Sequence, residues 1–205
     1  MRTRVKICGI TSADDAVAVA RVGADAIGLV FYDKSPRSVS IQQAQEITWA
    51  LPPFVTVVAL FVDAPADFIQ QVLAQVNIDL IQFHGTEPTE HCDIYNKPFI
   101  KAVSMRDGVD LHKVCDQYPR ASAILVDSYR ADTPGGTGEV FNWDLIPSDL
   151  PKPLILAGGL DASNIAQAID SVRPYAVDVS SGVERDKGIK DKDRVTAFIQ
   201  GVSSV

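Results

Sequence analysis

Cysteine and histidine are both scarce in this chain, with three residues of each type among 205. The cysteines, Cys8, Cys92 and Cys115, form no C-x-x-C pair, and their odd number leaves at least one outside any disulfide. This usage argues against a disulfide framework and against a zinc cluster. We therefore expect no metal ion, and a chain of this length buries enough apolar surface to fold without one.

Long apolar runs and clusters of basic residues are also missing. The longest apolar stretches, such as residues 55–62, are far too short to span a bilayer, and no basic start followed by an apolar segment marks a signal peptide. Lys and Arg number 19 against 26 Asp and Glu, a formal net charge of −7, and no basic cluster appears. These features disfavour membrane and nucleic-acid partners and favour a cytoplasmic location.

What the chain does contain is a repeat of short apolar runs that alternate with segments of helical period. The runs predict eight strands, at residues 4–8, 25–31, 55–62, 78–83, 98–103, 122–127, 153–157 and 175–180. The predicted helices are 13–22, 40–50, 65–76, 88–95, 109–117, 161–172 and 191–201. The sixth connection differs, because a glycine-rich stretch at 134–138 precedes only a short helical segment near 142–147.

This βα repeat predicts a compact α/β protein, a (β/α)₈ TIM barrel with a single domain over residues 1–205 and an abbreviated sixth helix. The alternative is an open doubly wound sheet, which is disfavoured because no G-x-G-x-x-G follows the first strand. Function in such barrels lies at the carboxyl ends of the strands. The residues at those ends are therefore the candidates for chemistry.

The first predicted strand places a lysine and a cysteine on one face. Side chains alternate along a strand, so Lys6 and Cys8 point the same way, into what we expect to be the barrel interior, with Cys8 at its rim. In a barrel the eighth strand closes against the first, which brings Asp178 toward Lys6. We expect these two residues to form an ion pair beneath the site.

The ends of the last two strands carry the clearest binding signal. Gly158 and Gly159 follow the seventh strand, and Ser180, Ser181 and Gly182 follow the eighth. Glycines let a ligand approach the backbone, and free N–H groups near a helix start attract anions. Because phosphate sites of barrels lie at these two loops, we expect a sugar phosphate here. The alternative is that the glycines only permit tight turns.

Seven short motifs occur in order from residue 6 to about residue 191. They are Lys6-Ile7-Cys8-Gly9-Ile10-Thr11, Ser35-Pro36-Arg37, Gln82-Phe83-His84-Gly85, Leu125-Val126-Asp127-Ser128, Gly135-Gly136-Thr137-Gly138, Leu156-Ala157-Gly158-Gly159-Leu160 and Asp178-Val179-Ser180-Ser181-Gly182-Val183-Glu184. As an ordered set they resemble the phosphoribosylanthranilate isomerase family of tryptophan biosynthesis. The chain departs from the family at Lys187, where proline is usual, and we expect this departure to affect only the conformation of that loop.

The resemblance implies a small-molecule substrate, N-(5-phosphoribosyl)anthranilate, and an Amadori rearrangement that needs no cofactor. It assigns the general base to Cys8 and the general acid to Asp127, on strands that face each other across the barrel mouth. Arg37 suits the anthranilate carboxylate. The other substrate contacts it implies are Gly158, Gly159, Asp178, Ser180, Ser181 and Gly182, with Asp178 alternatively a buried structural partner. Both a monomer and a homodimer are compatible with the sequence.

Several finer expectations follow for individual residues. A thiolate is the competent base, so we expect the lysine beneath Cys8 to lower the pKa of its thiol, an effect that pairing with Asp178 would weaken. His84 is expected to be a strand-end histidine satisfied by hydrogen bonds rather than an acid–base group. The stretch at 134–138 is either a lid or a passive connector. We expect Trp49 and Trp143 to belong to the outer packing.

Two other functions fit part of this pattern. An epimerase of pentose phosphates would need histidine metal ligands at several strand ends, whereas only His84 lies at one here. A barrel that binds a phosphorylated ligand without turning it over would lack an acid or a base, whereas Cys8 and Asp127 are both present. The isomerase is therefore the favoured function.

Overall fold

Eight parallel strands form a closed barrel in the computed structural model, which describes residues 2–128 and 141–205. The strands are β1 Arg4–Cys8, β2 Ala26–Phe31, β3 Thr56–Phe61, β4 Leu80–Phe83, β5 Phe99–Met105, β6 Ala123–Ser128, β7 Leu154–Leu156 and β8 Ala176–Val179. β1 pairs with β2 on one side and with β8 on the other, which closes the ring. The predicted (β/α)₈ barrel is confirmed.

The strands are apolar on both faces because helices cover the outside of the ring and side chains fill its inside. Outward-facing residues pack with the helices into the main core, whose largest fully buried side chains include Phe61 and Phe83. A separate inner cluster that includes Leu125 and Ile155 fills the barrel. The barrel is therefore a packed core with space for a ligand only at one end.

Seven α-helices flank the barrel within the described residues: α1 Ala13–Val22, α2 Ile41–Ala50, α3 Ala66–Gln75, α4 Thr89–Cys92, α5 Leu111–Gln117, α6 Ile165–Val172 and α7 Lys192–Ser203. Their ends follow local sequence signals. Ser12 caps α1, Gly23 ends it in the left-handed conformation, and Ser40 with Gln43 forms a capping box at α2. Across the described ranges, the helices are all too short or too polar to cross a membrane.

The connections after β6 and β8 differ from a plain βα unit. Between residues 141 and 153 the helical structure is a single 3-10 turn, Trp143–Leu145, in agreement with the predicted abbreviated sixth helix. After β8, a 3-10 turn at Ser181–Val183 leads into an antiparallel hairpin of β9 Glu184–Asp186 and β10 Ile189–Lys190. The sequence did not predict this hairpin, which contributes residues to the site.

One expectation about the tryptophans is wrong. Trp49 is 86% exposed, because it lies two residues after the buried Ile47 and so points away from the barrel on the opposite side of α2. Trp143, in contrast, packs against the main core as predicted.

Candidate active site

A cavity of about 460 Å³ opens at the carboxyl ends of the barrel strands. The lining residues with polar side chains are Cys8, Tyr32, Lys34, Ser35, Arg37, Gln82, His84, Asp127, Asp178, Ser180, Ser181 and Lys187. Gly158 and Gly159 line it through their backbone. Of the predicted site residues, the structure leaves only Gly182 out of the lining. The candidate lid at 134–138 lies outside the described residues.

The expected ion pair beneath the site is present. Lys6 and Asp178 are aligned across the β1–β8 pairing, and Lys6 Nζ lies 2.9 Å from Asp178 Oδ1. Both side chains are buried. Cys8 ends β1 one layer above Lys6, on the same inward face. The candidate base therefore stands directly over a buried pair of opposite charges.

Gly28 of β2 makes room for these side chains. A Cβ at this position would lie 2.8 Å from Cys8 Sγ and 3.1 Å from Lys6 Nζ. A carbon that close to the sulfur would push the thiol or the ammonium out of place. The strand can therefore approach β1 only because it carries glycine there.

The ionisation of Cys8 contradicts the expectation drawn from the sequence. Burial raises the pKa of the Cys8 thiol; the charge of Lys6 lowers it, Asp178 raises it further and Lys190 lowers it again, and burial prevails. Burial also opposes the charge of Lys6, but Asp178 and Cys8 outweigh it and raise the pKa of Lys6 above its usual value. The expected low thiol pKa is wrong, because burial outweighs the charge of Lys6, which Asp178 also partly compensates.

Asp127 lies in β6 and is buried. Its Oδ1 accepts a hydrogen bond from the backbone N–H of Ser128 at 2.8 Å, and its Oδ2 lies 3.5 Å from Nε2 of His84. The other ring nitrogen of His84, Nδ1, lies 2.9 Å from Gln82 Nε2. A Cβ at Gly158 would lie 2.7 Å from Asp127 Oδ1, so glycine is needed there. His84 thus has hydrogen-bonding partners, as predicted, and also contacts the candidate acid.

The loops after β7 and β8 pack directly against each other. A Cβ at Gly182 would lie 2.0 Å from the carbonyl oxygen of Leu160, so Gly182 permits this approach from behind the cavity wall. Asn164 Nδ2 donates to the carbonyl of Gly159 at 2.8 Å and holds the first loop. Ser180 Oγ is buried and finds no hydrogen-bond partner among the described residues. It is a hydroxyl in the cavity wall that a ligand oxygen would satisfy.

Arg37 lines the cavity and is bound by Glu184, a residue that the sequence analysis did not single out. Arg37 Nε donates to Glu184 Oε1 at 2.8 Å, and Nη2 donates to Oε2 at 2.7 Å. Lys190 Nζ donates to Glu184 Oε1 at 2.8 Å. Burial alone would raise the pKa of Glu184, but the hydrogen bonds from Arg37 and the charge of Lys190 hold it below its usual value. The carboxylate is therefore ionised and fixes the guanidinium.

Two lysines stand at the mouth of the cavity. Lys34 follows β2 and Lys187 lies in the turn of the β9–β10 hairpin; both are exposed and both line the cavity. Within residues 2–128 and 141–205, neither forms an ion pair with a carboxylate. Lys187 is the position at which the chain departs from the family pattern. Because this residue lines the cavity, the departure changes the rim of the site and not only the loop that carries it.

The site residues that the sequence analysis missed include Gly28, Glu184 and Lys190, together with the lining residues Tyr32 and Lys34. An isolated glycine inside an apolar strand, as at Gly28, signals close approach of another group. Glu184 is the last residue of a motif that indicates the family, but nothing in the motif indicates that this residue binds Arg37. Lys190 gave no signal, because nothing in its neighbours predicts the hairpin that buries it.

The cavity unites groups suited to proton transfer with groups suited to anion binding. A thiol and a carboxyl group act as acids and bases, and cations and backbone N–H groups bind anionic ends. Within the described part of the chain, no three His, Cys, Asp or Glu side chains are placed to hold a metal ion together. The fold and the site are those of a (β/α)₈-barrel enzyme that carries acid–base groups at the carboxyl ends of its strands.

The family model for N-(5'-phosphoribosyl)anthranilate (PRA) isomerase matches residues 5–201. The chain belongs to this family. It is 58% identical over 205 residues to the N-(5'-phosphoribosyl)anthranilate isomerase of Nitrosococcus oceani, covering 100% of both chains. The crystal structure of phosphoribosyl anthranilate isomerase from Thermotoga maritima has a TM-score of 0.91 at 40% identity, covering 99% of this chain and 100% of that one.

A second similar structure contains a ligand. It is phosphoribosyl anthranilate isomerase in complex with reduced 1-(o-carboxyphenylamino)-1-deoxyribulose 5-phosphate, with a TM-score of 0.86 at 40% identity, covering 99% of this chain and 100% of that chain. The family membership expected from the ordered motifs is confirmed.

Proposed function

We propose that this protein converts N-(5-phosphoribosyl)anthranilate to 1-(2-carboxyphenylamino)-1-deoxyribulose 5-phosphate in tryptophan biosynthesis, with Cys8 as general base and Asp127 as general acid. Family membership supports the reaction. One observation carries the residue roles: Cys8 and Asp127, on β1 and β6, line the same cavity. The proposal requires that one sugar held in that cavity contacts both groups.

The chemistry requires two proton transfers on either side of C1 of the sugar, one at the ring oxygen and one at C2. Asp127 gives its proton to the furanose ring oxygen as the bond from that oxygen to C1 breaks, and the nitrogen lone pair forms the C1=N bond of a protonated Schiff base. The Cys8 thiolate then takes the proton from C2, which gives an enolamine. Tautomerisation adds a proton at C1 and removes the one on the C2 hydroxyl, leaving the ketone. Exchange with solvent returns Asp127 and Cys8 to their starting states.

Binding at both ends of the substrate supplies the positioning. Arg37 suits the anthranilate carboxylate, because a guanidinium binds carboxylates through paired N–H groups. Gly158, Gly159, Ser180 and Ser181 suit the sugar phosphate; the unpartnered Ser180 hydroxyl and the glycine backbone support this assignment. A ligand held at both ends places its reacting carbons between acid and base, and such positioning lowers the barrier.

The wider assignments belong to the same proposal. Gly182 acts by letting the two loops pack rather than by lining the cavity, and Asp178 acts as the partner of Lys6 at the cavity floor. The site is assembled from one chain, so a monomer suffices and a homodimer is compatible with it. The reaction uses no cofactor. The three cysteines are unpaired thiols, in keeping with a cytoplasmic location.

The test measures decay of substrate fluorescence with the parent and with Cys8→Ala and Asp127→Asn. We expect each substitution to lower kcat by about 10²- to 10⁴-fold, the usual contribution of one acid or base. Cys92→Ala is the matched control, because Cys92 is a buried thiol on α4 and not part of the cavity lining. Turnover by Cys8→Ala at the parent rate would refute the role of the thiol. A parent that binds but does not convert the substrate would refute the reaction.

A further inference from the structure

A buried cluster of one carboxylate and two cations joins three parts of the site. Glu184 is almost fully buried, as is Lys190, and Arg37 is largely so. The single carboxylate accepts from both cations. The cluster contains residues from the loop after β2, from β9 and from β10. It therefore connects segments that lie far apart in the sequence.

Lys190 has no donor left for a ligand. Its ammonium donates to Glu184 Oε1 at 2.8 Å, to the carbonyl of Cys8 at 2.6 Å and to the carbonyl of Ser180 at 3.2 Å. An ammonium has three N–H groups, so all of them are used within the protein. The two carbonyls belong to the residue proposed as the base and to the first residue of the proposed phosphate loop. Lys190 thus fixes the distance between the thiol and that loop.

Arg37 still has one edge for a ligand. Glu184 occupies the edge formed by Nε and Nη2. The remaining N–H groups on Nη1 and Nη2 make no bond to another residue within the described ranges, and Arg37 lines the cavity. Its stem crosses the backbone just after Cys8, because a Cβ at Gly9 would lie 2.4 Å from Arg37 Cδ. A planar guanidinium held along one edge presents the other in a fixed direction.

We propose that Glu184 and Lys190 are positioning residues for this reaction. Glu184 aims the free edge of Arg37 at the substrate carboxylate, and Lys190 sets the Cys8 end of β1 against the phosphate loop. This inference rests on the proposed function for the identity of the substrate. It predicts that the two residues govern different ends of the ligand, which a merely structural ion cluster would not do.

The test separates the two ends with two variants and two ligands. Substrate KM reports both anchors, and inorganic phosphate binding, measured by calorimetry, reports the phosphate loop without any turnover. Glu184→Gln should raise KM about tenfold, because the contact from Arg37 is misaligned. Phosphate affinity should stay within about twofold of the parent, because the oxygen of a glutamine amide can still accept from Lys190. Lys190→Met should weaken phosphate binding about tenfold, because it removes the hydrogen bonds that hold the phosphate loop against β1. Glu90→Gln, an exposed residue on α4, controls for loss of one negative charge.

A pH profile and a double-mutant cycle test how these residues act. Lys190→Met should move the rising limb of kcat/KM to higher pH, since the charge of Lys190 lowers the pKa of the Cys8 thiol. In an Arg37→Gln background, Glu184→Gln should change KM by less than about twofold, because its effect passes through Arg37. Additive effects on KM would overturn the role of Glu184. Phosphate affinity at the parent value in Lys190→Met would overturn the role of Lys190.

One further variant keeps the inference testable if Glu184→Gln does not fold. Arg37→Lys keeps the charge, but an ammonium cannot bind Glu184 along one edge and a substrate carboxylate along another. KM should therefore again rise about tenfold, with phosphate affinity unchanged. An unchanged KM in Arg37→Lys would overturn the proposal. Should the parent itself not convert the substrate, the proposed function fails, whereas phosphate calorimetry still decides the role of Lys190.

Discussion

Replacing Asp178 with asparagine tests the ion pair beneath the proposed base. Asp178→Asn leaves the Lys6 ammonium buried without a counter-charge, since both side chains of the pair are almost inaccessible, at 4% and 8% exposure. Removing one partner of such a pair costs about 3–5 kcal/mol. For a domain of this size we expect the midpoint of thermal unfolding to fall by roughly 6–20 °C.

The same substitution should change the pH dependence in a direction that loss of stability alone does not predict. Asp178 raises the pKa of the Cys8 thiol, whereas Lys6 lowers it. Without the carboxylate, the ammonium is left to stabilise the thiolate, so the rising limb of kcat/KM should move to lower pH. Lys6→Met should move that limb to higher pH, because it removes the cation instead. The limb of the parent should lie above the usual range of a thiol, since burial raises the pKa of Cys8.

The assay combines thermal unfolding with kcat/KM from substrate fluorescence across a pH series. Asp149→Asn, at an exposed carboxylate, is the control for loss of one negative charge. The double variant of Lys6→Met with Asp178→Asn should lose less unfolding free energy than the two single variants lose together, because neither charge is then left unpaired. A limb that moves the same way in both single variants, or an Asp178→Asn protein as stable as the parent, would refute the reasoning.

Two more predictions concern the walls of the cavity. Gly28→Ala should lower kcat about tenfold or more, because the new methyl group would lie 2.8 Å from Cys8 Sγ and displace the thiol; unchanged kcat would show that the strand yields instead. Lys187→Gln should lower kcat/KM about threefold at low ionic strength and less at high salt, since Lys187 is an exposed cation at the mouth whose attraction for an anionic substrate is screened by salt. Lys113→Gln, on α5, makes the same change of net charge away from the cavity, and an equal effect there would contradict the prediction.

The fold could be predicted because its signals are local. Buried strands appear in the sequence as apolar runs. Helix ends are marked by residues such as Ser12, Ser40 and Gly23, which bond to backbone groups only a few positions away. Even so, α6 begins at Ile165 rather than at residue 161. The Asn164 side chain accepts the backbone N–H of Asp161 at 2.9 Å, and this turn replaces the first part of the predicted helix.

The parts of the site that could not be predicted depend on partners far away in the sequence. Arg37 and Glu184 are 147 residues apart, and the hairpin that carries Glu184 has no clear sequence signal. The sign of the pKa shift of Cys8 depends on burial, which exists only once the ring closes. A second buried pair, Lys101 of β5 with Glu87 at 2.8 Å, was missed for the same reason. Sequence reasoning locates side chains on strands but does not give their charge environment.

The seam between β1 and β8 also has a consequence for how the protein assembles. Lys6 and Asp178 are 172 residues apart, so their contact joins the two ends of the barrel sequence. We expect contacts of that kind to form late in folding, after helices and neighbouring strand pairs, because closing so long a loop costs entropy first. Before the seam closes, the Cys8 sulfur is solvated on every side and open to oxidants; afterwards it is largely buried and is reached only through the cavity. Closure of the ring thus reduces the approaches to this sulfur to a single opening, the one through which a substrate would also enter.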